Sequence, residues 1–153
     1  MRLGRVWLSV LLAGACATGC KTKDGTPDAT ARTVWRAAVA GDGAAFRAMY
    51  PSEAELRKVF EPALAEKLLG QVNLGAAKVP VKPPRIQVSD VKVETEAEAP
   101  AGKGLLVPTR LARVRLTIKI PGIKDAEQDD QMALLRVGEV WRALPKEALS
   151  LVP

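Results

Sequence analysis

The chain has 153 residues, of which 48% are hydrophobic, 26% are charged and 4% are aromatic, which is the length of a single globular domain. It contains no histidine, and both cysteines lie at positions 16 and 20. This inventory excludes a zinc site, a Ser-His-Asp triad, a Cys-His dyad and a disulfide framework in the folded body. The net charge of +6 falls to about +4 if Arg2 and Arg5 belong to a removed leader, which argues against a nucleic-acid partner.

Residues 1–19 have the layout of an export signal peptide. Arg2 and Arg5 precede an apolar run over residues 6–15, which is too short for a membrane-spanning helix of roughly twenty residues. Small residues then lead to Cys20, which polar sequence follows. This stretch resembles the lipobox of bacterial lipoproteins, in which a peptidase cuts before a cysteine that carries diacylglycerol. The resemblance implies cleavage after residue 19 and acylation of Cys20.

Cys16 is the alternative acylation site. It also follows small residues, and Leu12 occupies the position where a lipobox usually carries an aliphatic residue, whereas Cys20 has Cys16 there. Two or three acyl chains give stable attachment, so we expect a membrane anchor in the cell envelope with the body facing the periplasm. Lys21 stands where lipoproteins retained at the inner membrane often carry aspartate, which favours the outer membrane. A plain secretory signal is the remaining alternative.

A flexible tether and a first helix are predicted next. Residues 20–28 comprise the lipidated cysteine and a polar spacer with nothing to bury, so the domain is expected over residues 29–153. Asp28 is predicted to cap a helix that runs to about residue 40. The apolar face of that helix holds Ala31, Val34, Trp35, Ala38 and Val39.

Further helices follow before the connection to the second half. Asp42 is predicted to cap a short helix that carries Phe46 and Tyr50. Ser52 begins a capping-box pattern before another apolar helical run. Pro62 lies inside that run and either kinks the helix or begins a new one. Glycines, an asparagine and three prolines over residues 70–84 predict a connection without regular structure.

From residue 85 the apolar period changes from 3.6 to 2, which predicts strands. The alternation changes parity at Ser89 and Asp90, which indicates a β-bulge. The clearest strand covers residues 113–120, where apolar side chains alternate with Arg, Thr and Lys. The remaining predictions are a hairpin loop over 97–104, strands over 132–137 and 140–144, and a turn at Gly138-Glu139 between them.

Helices followed by a bulged antiparallel sheet predict an α+β fold with the helices over one face. The run Val39-Ala40-Gly41-Asp42 and the run over residues 135–144, with its Gly138 turn and Trp141, resemble the NTF2-like superfamily, particularly its small envelope lipoproteins. The resemblance implies an NTF2-like or cystatin-like cone, with N-terminal helices packed on a curved sheet. The open end of such a cone can hold an apolar ligand, and some members are isomerases or dehydratases.

The candidate site residues follow from this resemblance. Without histidine, catalysis in the cone would need a buried carboxylate beside a tyrosine, and Asp90 and Tyr50 are the candidates. The aromatic side chains predicted to form either the core or a ligand cavity are Trp35, Phe46, Tyr50, Phe60 and Trp141.

Two charged groups also invite a functional interpretation. The acidic residues over 125–130 do not match an EF-hand and are expected in a solvated loop, and no metal or cofactor is predicted. Arg113, Arg115 and Lys119 could meet an anionic partner, or pair with Glu94 and Glu96 across the sheet.

Taken with the leader, these features predict a non-enzymatic, membrane-anchored envelope lipoprotein that binds a protein partner or a small apolar ligand. The alternatives are a cone enzyme with a carboxylate base and an accessory subunit of an envelope complex.

Overall fold

The computed structural model describes residues 25–79, 86–120, 122 and 126–153. The helices of this part are α1 (Pro27–Val39), α2 (Gly43–Ala48), α3 (Glu53–Val59), α4 (Pro62–Ala77) and a short 3-10 helix, η1 (Lys146–Leu151). Its strands are β1 (Gln87–Ala99), β2 (Thr109–Lys119), β3 (Glu127–Val137) and β4 (Val140–Leu144). Helices packed against a curved, open antiparallel sheet confirm the α+β prediction. Among the described helices, none has the length and apolar character needed to cross a membrane.

Local capping signals place the first helices. Thr26 is the N-cap residue of α1 and Pro27 takes its first position, so the prediction that Asp28 caps this helix is wrong. Proline suits that position because its fixed φ is already helical and its missing N–H would have no partner there. Asp28 lies in the first turn, where a carboxylate interacts favourably with the helix dipole. The cap predicted for α2 is confirmed, because Asp42 accepts a hydrogen bond from the Ala45 backbone N–H at 2.9 Å.

The predicted capping box of α3 is also present, and α4 begins a separate helix. Ser52 accepts from the Glu55 backbone N–H at 3.2 Å, and the Glu55 carboxylate accepts from the Ser52 N–H at 2.7 Å. Phe60 is extended between the two helices, and Pro62 opens α4. The predicted connection over 70–84 is wrong for residues 70–77, which are helical, while residues 80–85 lie outside the described part.

The sheet is an antiparallel meander in the order β1-β2-β3-β4. The predicted bulge is confirmed: Ser89 falls between the paired residues Val88 and Asp90, and its hydroxyl donates to the Thr117 carbonyl at 3.1 Å. A second irregularity, at Glu94, falls later in β1. Bulges bend a strand and increase its twist, so both add to the curvature of the sheet.

Several strand boundaries differ from the predictions, and β2 begins at Thr109, before the predicted start at residue 113. β1 continues to Ala99, so the hairpin loop begins after the predicted start of the 97–104 segment. β3 begins at Glu127, which places much of the acidic cluster on a strand instead of in a loop. Cross-strand partners account for this: Lys119 pairs with Glu127 at 3.2 Å, and the Thr117 hydroxyl donates to Asp129 at 3.1 Å. The described residues contain no group of side chains that could hold a metal ion.

The core is divided between the two faces of the sheet, which corrects the prediction that the helices cover one face only. Successive side chains of a strand point to opposite faces. One cluster joins α1 to Ala112, Val114, Leu116, Leu134, Trp141 and Ala143. The other joins α3, α4 and the C-terminal segment to Leu111, Ala133, Leu135 and Leu144. The two sets alternate along β2 and β3, so α1 packs on one face and α3 and α4 on the other.

Two glutamates of β1 form ion pairs with arginines of β2, and a third arginine of β2 bonds to η1. Arg115 lies 2.6 Å from Glu94, and Arg110 lies 3.0 Å from Glu96. Arg113 donates to the Leu149 carbonyl at 3.1 Å. Pairing across the ladder is therefore confirmed for both glutamates, although Glu96 pairs with Arg110, which was not among the predicted partners. Exposed pairs of this kind stabilise by about 1 kcal/mol or less each.

Gly104, in the loop after β1, lies against Leu64 of α4, and a substitution there tests this contact. Its φ is +97°, a conformation that L side chains rarely adopt, and a Cβ there would lie 2.7 Å from Leu64 Cδ2. We expect Gly104→Ala to lower the free energy of unfolding by about 1 to 3 kcal/mol, measured by urea denaturation. Gly70→Ala is the matched control: Gly70 is helical with open space around it, so we expect a gain of about 0.5 to 1 kcal/mol. Equal stability of the two variants would contradict this account.

Candidate functional site

A pocket of about 230 Å³ lies between α1, α2 and the β3–β4 end of the sheet. We call it the α1–α2 pocket. Its apolar wall consists of Val34, Trp35, Ala38, Phe46, Met132, Leu144 and Pro145. Its polar end consists of Tyr50, Asp130, Gln131 and Lys146. This arrangement, an apolar cavity with a few converging polar groups, is typical of small-molecule sites.

The helical spacing of the sequence builds the apolar wall. Val34 and Ala38 lie one turn apart on α1 and therefore share a face. Phe46 lies on α2 and Tyr50 follows one turn later, so their rings come together, with centroids 5.0 Å apart and planes tilted by 45°. This tilted geometry is favourable for aromatic pairs and fixes the direction of the Tyr50 side chain.

Asp130 anchors the polar end. Its carboxylate lies 2.8 Å from the Lys146 ammonium and accepts from the Gln131 backbone N–H at 3.0 Å. The Gln131 side-chain amide donates to Glu94 at 2.8 Å, which ties this end of the pocket to β1. The Asp130 carboxylate is thus held by its neighbours, while the Lys146 side chain stays largely exposed.

Tyr50 is the most perturbed titratable group of the described residues. Burial, and secondly the negative charge of Asp130, raise the pKa of Tyr50 from 10.0 to about 12. Both effects disfavour the phenolate, so the side chain remains a neutral phenol at physiological pH. Its hydroxyl forms no hydrogen bond with any described residue. The pocket therefore presents an unused hydrogen-bond donor beside an apolar wall.

Three of the predicted site residues meet in the pocket and three do not. Trp35, Phe46 and Tyr50 line it. Phe60 and Trp141 are core residues, 0% and 2% exposed, and belong to the opposite clusters. Asp90 is exposed on β1 and does not line the pocket, so its prediction as a buried base is wrong.

The bulge at Ser89 explains why Asp90 is an ordinary paired strand residue instead of a buried base. Ser89 is the unpaired residue and uses its own hydroxyl within the ladder, while Asp90 resumes pairing, with Thr117. The predicted acylation sites, Cys16 and Cys20, lie outside the described residues.

Three residues that line the pocket were not predicted as site residues from the sequence: Asp130, Met132 and Lys146. Asp130 was assigned to a solvated loop because residues 127–131 are uniformly polar and carry no strand alternation. Its parity was the available signal: Asp130, Met132 and Leu134 are two residues apart, so a strand extended backwards from Met132 places all three on one face. No sequence signal joins Lys146 to Asp130, since Lys146 follows β4 and begins η1.

Comparisons of the chain with protein-family models, with characterised proteins and with solved structures gave no match. The residues of the pocket and the N-terminal sequence are therefore the features that bear on function.

The raised pKa of Tyr50 can be measured directly because Tyr50 is the single tyrosine of the chain. We expect tyrosinate absorbance of the folded protein to have its midpoint near pH 12, and to return to about 10 in concentrated guanidinium chloride. The folded state holds this proton more tightly, so its contribution to stability is complete below pH 10 and is lost as the pH rises towards 12. A folded-state midpoint near 10 would show that Tyr50 is neither buried nor close to Asp130.

Proposed function

We propose that this protein is a lipid-anchored protein of the cell envelope whose domain binds a small apolar ligand in the α1–α2 pocket. The observation that carries the proposal is the pocket itself: an apolar cavity of about 230 Å³ that ends at the Tyr50 hydroxyl, which no described residue engages in a hydrogen bond. A cavity left open by the side chains favours a small ligand over a protein partner, which binds more commonly to a filled, convex surface.

The volume limits the size of the ligand. An apolar protein cavity of about 150 Å³ holds benzene, and drug-sized ligands occupy about 300 to 1,000 Å³. The α1–α2 pocket lies between these, at about 230 Å³. It therefore suits a substituted ring, a small fused-ring compound or a short branched chain.

The charges limit the polarity of the ligand. Tyr50 can donate a hydrogen bond to a carbonyl, ether or hydroxyl oxygen. The Asp130 carboxylate beside it disfavours an anion at the same place, and its partner Lys146 is already engaged at 2.8 Å. We therefore expect a neutral molecule with one hydrogen-bond acceptor.

The anchor is supported by the sequence of the N-terminal region. A basic start, an apolar run and small residues before Cys20 resemble the lipobox layout. The helices-first order and the bulged, curved sheet support the NTF2-like resemblance, which stays a prediction. The outer-membrane location and the role of accessory subunit also stay predictions.

Acid–base catalysis is the second candidate function, and one observation favours it. The phenol of Tyr50 and the carboxylate of Asp130 meet at the end of an apolar cavity, which is the combination that proton transfer at a carbon next to a carbonyl needs. Asp130, however, is held by Lys146 at 2.8 Å and by the Gln131 N–H at 3.0 Å. The Asp130 carboxylate is thus already engaged by two protein groups and forms no hydrogen bond with Tyr50, so ligand binding is the better-supported function.

Filling the pocket tests the ligand proposal. We expect 2-naphthol, a neutral fused-ring compound with a hydroxyl, to bind the purified protein in ligand-observed NMR titrations. Ala38→Leu should weaken this binding at least tenfold, because its added carbons occupy the cavity. Ala44→Leu is the matched control, since Ala44 is exposed on α2 and outside the pocket. Tyr50→Phe should weaken binding about fivefold, the value of one net hydrogen bond. No binding to the unaltered protein, or equal binding by Ala38→Leu, would overturn the proposal.

Substitution of each cysteine tests the anchor. We expect Cys20→Ala to abolish the incorporation of labelled palmitate in bacterial cells, whereas Cys16→Ala should retain it. Label that persists in Cys20→Ala and disappears in Cys16→Ala would identify Cys16 as the acylated residue. A purified protein that begins at Met1 with both thiols unmodified would contradict the lipoprotein proposal.

A further inference from the structure

A second concave surface lies on the other side of Trp35, between α1 and the start of β1. This α1 groove is shallow, has a volume of about 400 Å³, and is lined by Arg32, Trp35, Arg36, Val39, Ile86 and Val88. Its floor is apolar and its rim carries two guanidinium groups. The combination fits a ligand that presents a negative charge and an apolar part together.

The two arginines of the groove have no protein partner in the described part of the chain. Arg32 and Arg36 are exposed, one turn apart on α1, and form no ion pair or side-chain hydrogen bond with a described residue. Asp28 lies one turn before Arg32 without pairing to it. By contrast, Arg57 and Arg110 are each within 3.0 Å of a glutamate. Arg32 and Arg36 are thus available to an external anion.

The position of α1 in the chain limits how far this groove can lie from the membrane. In the proposed mature protein, residues 21–26 separate the acylated Cys20 from Pro27, where α1 begins. Fully extended, that segment covers about 25 Å. Of the described elements, α1 therefore has the shortest chain connection to the proposed bilayer attachment. A surface with arginine and tryptophan at this distance can reach the lipid headgroup region, where both types of side chain are favourable.

We propose that the α1 groove docks on the headgroups of anionic phospholipids in the membrane that holds the acyl chains. Arg32 and Arg36 bind the lipid phosphates, and Trp35 enters the interface beside them. The inference rests on the proposed acyl anchor, because the anchor supplies the proximity. Each basic side chain near an anionic surface favours the docked state about fivefold, so the pair changes the ratio of docked to undocked molecules by roughly 30-fold.

Trp35 itself can report on docking. The proposed mature protein contains two tryptophans, Trp35 and the buried Trp141. The acylated protein is reconstituted into vesicles of phosphatidylcholine, with or without phosphatidylglycerol, that contain a headgroup spin-labelled lipid as quencher. We expect Trp35 fluorescence to be quenched in the phosphatidylglycerol vesicles and to recover at high salt, which screens the attraction. Trp35→Phe should remove the quenched component, and Trp141→Phe should retain it.

Charge variants identify the residues responsible. Arg32→Gln/Arg36→Gln should reduce the quenching in phosphatidylglycerol vesicles to the level of phosphatidylcholine alone. Lys58→Gln/Lys67→Gln is the matched control, because both lysines are exposed, unpaired within the described residues, and lie on α3 and α4. This control removes the same net charge and should leave quenching unchanged.

The outcomes separate the docking surface from the anchor. A protein that sediments with the vesicles but shows no quenching of Trp35 in phosphatidylglycerol overturns the docking proposal and leaves the anchor intact. The same holds if quenching is equal in both lipids, or if the lysine control abolishes it as fully as the arginine variant. A protein that does not sediment with vesicles, and carries no acyl chain by mass spectrometry, contradicts the anchor on which docking rests.

Discussion

The packing of α1 on one face of the sheet is the contact on which both surfaces of interest depend. Ala31 and Val34 are buried in one cluster with Val114 and Leu116, and this burial fixes the rotation of the helix about its axis. Because side chains on a helix repeat every 3.6 residues, the same rotation decides what the rest of α1 presents. Ala38 falls on the pocket side, and the exposed arginines one turn apart fall on the outer side. The pocket and the groove are thus two consequences of a single packing geometry.

The core cluster that contains α3, α4 and the C-terminal segment supports the sheet from the face opposite to α1. The Phe60–Leu105 bridge and the hydrogen bonds from Glu61 and Leu106 tie the α3–α4 link to the loop after β1. α4 then passes α2, where the Phe46 ring lies beside Gly75. Phe46 is part of the pocket wall. α4, which belongs to the cluster on the opposite face of the sheet, therefore helps to position a residue of the pocket.

Sequence patterns predicted the elements that bury one face and expose the other, because the spacing of their apolar residues then reveals the type of element. The alternation of residues 113–120 predicted β2, because half of its side chains are buried and half are paired in solvent. The helical residues after Gly70 were missed, since glycine and asparagine lower helix propensity and only the tertiary burial of Val72 offsets this. The proximity of Tyr50 and Asp130 in the pocket could not be predicted, because the two residues belong to separate elements and the polar sequence around Asp130 does not show the alternation typical of a strand.

Trp35 occupies the boundary between the α1–α2 pocket and the α1 groove, and lines both. Its neighbours Val34 and Arg36 point to opposite environments, one buried at 2% exposure and the other exposed to solvent. Trp35 is therefore a shared wall of the two spaces, and a substitution there affects both proposed functions. Tyr50 and Asp130 line the pocket alone, whereas Arg32 and Arg36 line the groove alone. Because these polar groups are not shared, substitutions at them separate ligand binding in the pocket from docking through the groove.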